Sequence, residues 1–169
     1  MAQSKIIWTI GHSNRTIEEF ISLLHSFEIT LLADVRHFPG SKKFAHFNKE
    51  ALKLSLNTAG IEYMHFIELG GRRKPLPDSK NSAWRLAAFR GYADHMQTKE
   101  FKNAFELLKE TAFAKRTAIM CSEAVWWSCH RSLISDRLKA DGWQVQHIMA
   151  LGKSQNILLH PPRKLWMVS

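Results

Sequence analysis

The sequence has only two cysteines among its 169 residues, and none of its apolar runs approaches the length of a membrane span. No N-terminal apolar segment resembles a signal peptide. These absences predict a cytoplasmic protein without a membrane partner, in which both thiols stay reduced. A disulfide between Cys121 and Cys129 is the less favoured alternative.

Several motifs with a known mechanism are also missing. The chain contains no Walker loop, no glycine-rich dinucleotide fingerprint and no Ser-His-Asp signature at a recognisable spacing. It has no helix-turn-helix, zinc-finger or RNA-binding aromatic signature. The Cys-x5-Arg loop of cysteine phosphatases is excluded, because Trp127 and Ser135 stand where its arginine would be. Without repeats, low-complexity segments or a composition break, residues 1–169 are expected to form a single domain.

Acidic residues are few relative to basic ones. The sequence has 15 aspartates and glutamates but 24 lysines and arginines, which gives a formal net charge of +9 and a pI near 9.8. This excess favours an anionic partner, either a small molecule or a nucleic acid. The hydrophobic content of 45% is sufficient for a real core.

The chain alternates strand-like and helix-like segments in the order βαβαβααβαβ. The capping box that starts at Thr16, the cap residues Asn48, Ser82 and Thr98, and the stop at Gly142 mark helix boundaries. The predicted strands are the apolar runs 6–10, 30–35, 61–66, 117–121 and 143–148. The pattern predicts an α/β fold with a mostly parallel central sheet of about five strands and helices on both faces.

The segment from Cys121 to Arg131 concentrates most of the chemistry. It contains both cysteines, Glu123, His130 and Arg131 within eleven residues. Cys121 ends a predicted strand, whereas Cys129 to Arg131 begin a predicted helix. Unpaired N–H groups at a helix start favour anions and lower the pKa of a thiol. The segment therefore predicts a site at the carboxyl edge of the sheet.

Parallel strands would bring further polar residues to the same edge. We expect the site to combine the candidate catalytic groups Cys121, Glu123, Cys129 and His130 with the candidate anion-binding residues Arg131, Arg36, His12, Ser13, Asp34, Gly70 and Gly71. Simpler roles are a buried apolar Cys121, an internal Asp34–Arg36 salt bridge, and packing of Trp126 and Trp127. The other histidines, His25, His37, His46, His65 and His95, are interpreted as structural or surface residues.

Five motifs together resemble the domain of unknown function 488 family. They are Thr9 to Asn14, Leu32 to Arg36 with Pro39, Ser41 and Phe44, Glu68 to Gly71, the pattern Cys-x-Glu-x5-Cys-His-Arg from Cys121 to Arg131, and Val145-x-His147-Ile148. The resemblance runs over nearly the whole chain. It implies an α/β domain with a shared polar site and no established reaction.

Three functions remain open. In the first, an enzyme binds a phosphate-bearing substrate through Arg131 and Arg36, with Cys129 or Cys121 as thiolate nucleophile and Glu123 or His130 as proton carrier. In the second, Cys121, Cys129 and His130, with Glu123 or His12 as the fourth ligand, hold zinc or iron for hydrolytic or redox chemistry. The first function requires no cofactor. In the third, the chain is a non-catalytic nucleic-acid-binding module, whose affinity should fall steeply with salt.

Overall fold

The computed structural model describes residues 5–40 and 42–155. Ser41, which belongs to one of the family motifs, lies outside these ranges. The segment 157–166, for which the sequence predicts no helix or strand, also lies outside them. The strands are β1 (Ile6–Gly11), β2 (Leu31–Asp34), β3 (Glu62–His65), β4 (Thr117–Cys121), β5 (Gln144–Ala150) and β6 (Lys153–Gln155). The α-helices are α1 (Ile17–Ser26), α2 (Lys49–Thr58), α3 (Ala87–His95), α4 (Lys99–Ala114) and α5 (Arg131–Ala140), and short 3-10 helices cover Ala45–Phe47, Ile67–Leu69 and Trp126–Ser128.

The six strands form one sheet in the order β3-β2-β4-β1-β5-β6. All neighbouring pairs are parallel except β5 and β6. The predicted α/β class, the mostly parallel sheet and the order of the first ten elements are confirmed. The sequence prediction of about five strands missed β6, because its three residues are Lys, Ser and Gln and carry no apolar pattern.

Helices cover both faces of the sheet, as predicted. Alternate strand residues point to opposite faces, so Ile10 packs with Phe20 of α1 and Leu56 of α2 in one core. Ile119 packs on the other face with residues of α3, α4 and α5. Within the described residues, no helix is long and apolar enough to cross a membrane.

The helix boundaries follow the predicted caps with one exception. Thr16 and Thr98 accept hydrogen bonds from the backbone N–H groups of Glu19 and Phe101, and Gly142 adopts a positive φ of 88° after α5. The helix predicted to start at Ser82 starts at Ala87 instead. The prediction was wrong because the preceding residues form a loop that is held by tertiary contacts.

Asp94 in α3 anchors that loop. Its carboxylate accepts hydrogen bonds from the backbone N–H of Leu76, the hydroxyl of Ser79 and the side-chain amide of Asn81, at 2.8, 2.8 and 2.6 Å. These hydrogen bonds hold residues 76–81 as a loop and keep them from forming a helix. The beginning of the same loop carries Gly71 and Arg72 to the carboxyl edge of the sheet.

Candidate functional site

A pocket of about 670 Å³ opens at the carboxyl edge of the sheet. It forms there because β2, β4 and β1 are neighbours and end at the same level, with Gly11 opposite Cys121 and Asp34 opposite Met120. Loops from all three strands therefore meet at one place. The pocket is lined by His12, Ser13, Asn14, Arg36, His37, Phe38, Gly40, Phe44, Gly71, Arg72, Cys121, Ser122, Glu123, Ala124, Cys129 and His130.

The two thiols contact each other in the wall of this pocket. The Sγ atoms of Cys121 and Cys129 lie 3.0 Å apart, and both cysteines are free. The backbone N–H of Arg131, at the start of α5, points at Cys129 Sγ over 3.4 Å. The first turn of α5 therefore directs a backbone donor at sulfur, which favours a negative charge on the pair.

Hydrogen bonding between the two thiols shifts their pKa values in opposite directions. The pKa of Cys121 falls to about 7, first because Cys129 donates a hydrogen bond to its thiolate and also because the Arg131 guanidinium lies near, although burial acts in the opposite direction. The pKa of Cys129 is raised by the same bond and by burial. The pair thus loses one proton near neutral pH and keeps the other.

The lowered pKa predicts a specific pH profile of thiol alkylation. The rate of iodoacetamide reaction at Cys121 should rise through pH of about 7, where about half of the thiol is ionised. Cys129→Ala removes the hydrogen bond donor and should move this inflection upward, toward the usual cysteine range. Mass spectrometry of the alkylated peptides measures each rate separately. An unchanged inflection in Cys129→Ala would show that the thiol contact does not set the acidity.

Arg131 lies beneath the site and does not line the pocket. Its side chain is 1% exposed, and its Nη2 donates to the backbone oxygens of Glu123 and Ala124 at 3.3 and 3.4 Å. These bonds hold the loop that follows β4. The structure therefore places Arg131 as a buried positive charge behind the thiols, whereas the sequence led us to expect it in contact with an anion.

Asp34 and Arg36 form a buried ion pair. Arg36 donates from Nε and Nη2 to the two carboxylate oxygens of Asp34 at 2.9 and 2.8 Å, and Tyr63 donates its hydroxyl to Asp34 over 2.6 Å. Asp34 is fully buried and Arg36 is 6% exposed. The internal salt bridge considered from sequence is therefore present, and Asp34 orients Arg36 at the pocket wall.

Two of the three histidines that line the pocket, His12 and His130, are neutral at pH 7. Burial lowers the pKa of His12 and of His130 to about 4 in each case. His130 Nε2 lies 2.8 Å from the carbonyl oxygen of Val35, and because a carbonyl only accepts, this nitrogen carries the proton. The Nδ1 atom of His130 is therefore an acceptor, and it faces Gly71, where an added Cβ would lie only 2.8 Å away.

The structure brings eight of the eleven predicted site residues to the pocket wall. Asp34, Gly70 and Arg131 support the site from behind without lining it. The lining residues that the sequence prediction missed are Asn14, His37, Phe38, Gly40, Phe44, Arg72, Ser122 and Ala124. Five of them directly adjoin a predicted residue, and that adjacency is the signal that could have identified Asn14, His37, Arg72, Ser122 and Ala124.

The five histidines that the sequence suggested to be structural or surface residues act as structural donors, with one exception. His25, His46, His65 and His95 each place Nε2 within 3.1 Å of a backbone carbonyl oxygen. His37 instead lines the pocket, a position that the sequence did not indicate. His37 directly follows Arg36 in the loop after β2, and this loop runs along the pocket.

Within ranges 5–40 and 42–155, no three His, Cys, Asp or Glu side chains are grouped so that they could hold a metal ion. Cys121 and Cys129 contact each other, but His130 directs Nε2 to the carbonyl of Val35. Adjacent residues at a helix start point in different directions, which separates His130 from the thiols. The donor set therefore does not fit the zinc or iron centre considered from sequence.

Comparison with known proteins gives one match. A family model described as domain of unknown function DUF488 matches residues 16–138. The matched range contains Arg36, both thiols and Arg131, whereas His12 and Ser13 precede it. No curated protein and no solved structure matches the chain.

Proposed function

Because this chain belongs to the family described as domain of unknown function DUF488, a description that assigns no reaction, we propose its function from the pocket. The protein is an enzyme that binds a phosphate-bearing substrate, a nucleotide or nucleic acid, and attacks it with the Cys121 thiolate. The observation that carries this proposal is the contact between the two thiols, whose Sγ atoms lie 3.0 Å apart in the wall of an open pocket, a contact that lowers the pKa of Cys121. Reduced thiols suit a cytoplasmic protein.

The lining of the pocket supports an anionic substrate with an aromatic part. Arg36 and Arg72 contribute guanidinium groups, and Ser13 and Asn14 contribute short polar side chains. Arg72 lies over the ring of Phe38, 5.6 Å from its centre, and Phe38 is 63% exposed. A guanidinium beside an exposed aromatic face suits a phosphate beside a base.

The proposed roles follow from these positions. The Cys121 thiolate attacks the electrophilic atom, and the leaving group departs with the bonding electron pair. A water molecule then attacks the covalent intermediate and gives its proton to the unprotonated Nδ1 of His130 or to the exposed carboxylate of Glu123. The bond to Cys121 Sγ breaks in this step, and its electron pair restores the thiolate. Arg131 stays in place as a positioning residue, since it holds the Glu123 loop and lowers the pKa of the thiolate.

Arg72→Gln should weaken the binding of adenosine monophosphate about tenfold, because one charge-assisted hydrogen bond is lost. Arg85→Gln is the matched control, since it removes the same charge from an exposed arginine outside the pocket. Isothermal titration calorimetry at fixed salt measures both affinities. Equal losses in the two variants would show that only the overall charge attracts the nucleotide.

Two further measurements separate the enzyme from a simple binding module. Cys121→Ser should bind adenosine monophosphate like the unmodified chain, because the thiol acts after binding. A single-stranded oligonucleotide that binds with a steep salt dependence, and that Arg72→Gln does not weaken, would favour the non-catalytic nucleic-acid-binding module instead. Binding of neither probe would count against a phosphate-bearing substrate altogether.

A further inference from the structure

The contact between the two thiols has a consequence beyond nucleophilic attack. We propose that a hydroperoxide converts Cys121 and Cys129 into a reversible intramolecular disulfide, which makes the pair a redox modification site. The Sγ atoms already lie 3.0 Å apart, so they need to approach by only about 1 Å to reach bonding distance. This inference does not depend on the identity of the substrate.

The position of the pair gives small oxidants access. Both cysteines line the pocket of about 670 Å³. Cys121 is 2% exposed, and Cys129 is only partly buried. Structural cysteines enclosed by apolar side chains are inert, whereas a thiol that ionises easily and faces an open cavity is reactive. The same opening lets a small thiol reductant reach the disulfide, so the oxidation is reversible.

The oxidation proceeds in two balanced steps. The Cys121 thiolate attacks the terminal oxygen of the hydroperoxide, the O–O bond breaks, and the leaving alkoxide takes a proton from water, which leaves a sulfenic acid on Cys121. Cys129 Sγ then attacks Cys121 Sγ, the S–O bond breaks, and the hydroxyl group leaves with the proton of Cys129 as water. Two thiols are oxidised by one hydroperoxide.

The disulfide also changes the site. It removes the Cys121 thiolate that carries the proposed reaction, and with it the negative charge that the nearby Arg131 guanidinium favours. Oxidised protein should therefore be inactive as a nucleophile until a reductant restores the pair. The neighbouring sulfur acts as the resolving thiol, which protects Cys121 from irreversible oxidation to the sulfinic acid.

The test uses hydrogen peroxide on the full chain. After reaction with one equivalent and removal of excess, intact mass should fall by two hydrogen atoms, both thiols should resist maleimide, and dithiothreitol should restore them. Peptide mapping should find a Cys121–Cys129 link within monomeric protein. Sulfinic acid on either cysteine, disulfide-linked dimers, or unreacted thiols would each overturn the proposal without any variant being needed.

Two variants show which cysteine reacts in each of the two oxidation steps. Cys129→Ser should stop at a sulfenic acid on Cys121 that dimedone traps, and Cys121→Ser should give no adduct under the same conditions. Adenosine monophosphate binding by reduced protein is measured in parallel. If the disulfide forms but the nucleotide does not bind, only the proposed function fails; if the nucleotide binds and no disulfide forms, only the redox proposal fails.

Discussion

Gly11→Ala is expected to destabilise the protein by about 3 kcal/mol or more and to disrupt the thiol pair. A Cβ at Gly11 would lie 1.7 Å from the backbone oxygen of Glu123 and 2.5 Å from its carbonyl carbon. Both are backbone atoms, so the loop after β4 has to move. That movement breaks the bond from Arg131 to Glu123 and shifts the segment that joins Cys121 to Cys129.

Chemical denaturation and the iodoacetamide rate at Cys121 measure the two effects of Gly11→Ala. Gly40→Ala is the matched control, because a Cβ there would meet nothing within 4 Å. Its free energy of unfolding should stay within about 0.5 kcal/mol of the unmodified chain. A Gly11→Ala variant with the stability and thiol reactivity of this control would contradict the close approach of β1 and the Glu123 loop.

Asp34→Asn is expected to lower the free energy of unfolding by about 3 kcal/mol, because it leaves the buried Arg36 guanidinium without its counter-ion. The pair is bidentate, and its side chains are 0% and 7% exposed for Asp34 and Arg36. The asparagine keeps the shape of the aspartate, so the decrease in the free energy of unfolding reports the effect of removing the negative charge. Nucleotide binding should also weaken, because Arg36 loses the group that orients it at the pocket.

A surface ion pair provides the comparison for Asp34→Asn. Lys115 and Glu62 lie 2.6 Å apart, with side chains 42% and 59% exposed, and such pairs contribute at most about 1 kcal/mol. Glu62→Gln should therefore change the urea midpoint only slightly. Should Asp34→Asn cost no more than Glu62→Gln, the ion pair at the pocket would have no structural importance.

Much of the fold was predictable because the signals are local. The strand Thr117–Cys121 was predicted with its observed bounds from a continuous apolar run, and Thr16 and Thr98 were identified as caps from residue type and spacing. The start of α3 was not predictable. It depends on Asp94, whose hydrogen bonds to residues up to 18 positions earlier hold the preceding segment as a loop.

The sequence predicted where the candidate site lies, but not how its side chains are arranged. Residues that follow parallel strands meet at one edge, and this rule predicts from the sequence alone that His12, Arg36 and Cys121 lie together. It did not indicate which side chains reach the cavity. Phe38 and Arg72 line it, although neither was among the predicted site residues, because their positions depend on how two irregular loops pack against the sheet.

The sequence by itself determined the family, the α/β class, the order of the elements from β1 to β5 and the edge of the sheet at which the pocket lies. These properties depend on residue type, periodicity and short motifs. Only the tertiary structure decided that Arg131 is buried behind the site, that Arg36 is paired with Asp34, and that the two sulfurs lie 3.0 Å apart. Each of these depends on side-chain direction and on contacts between separate segments, which a linear pattern does not encode.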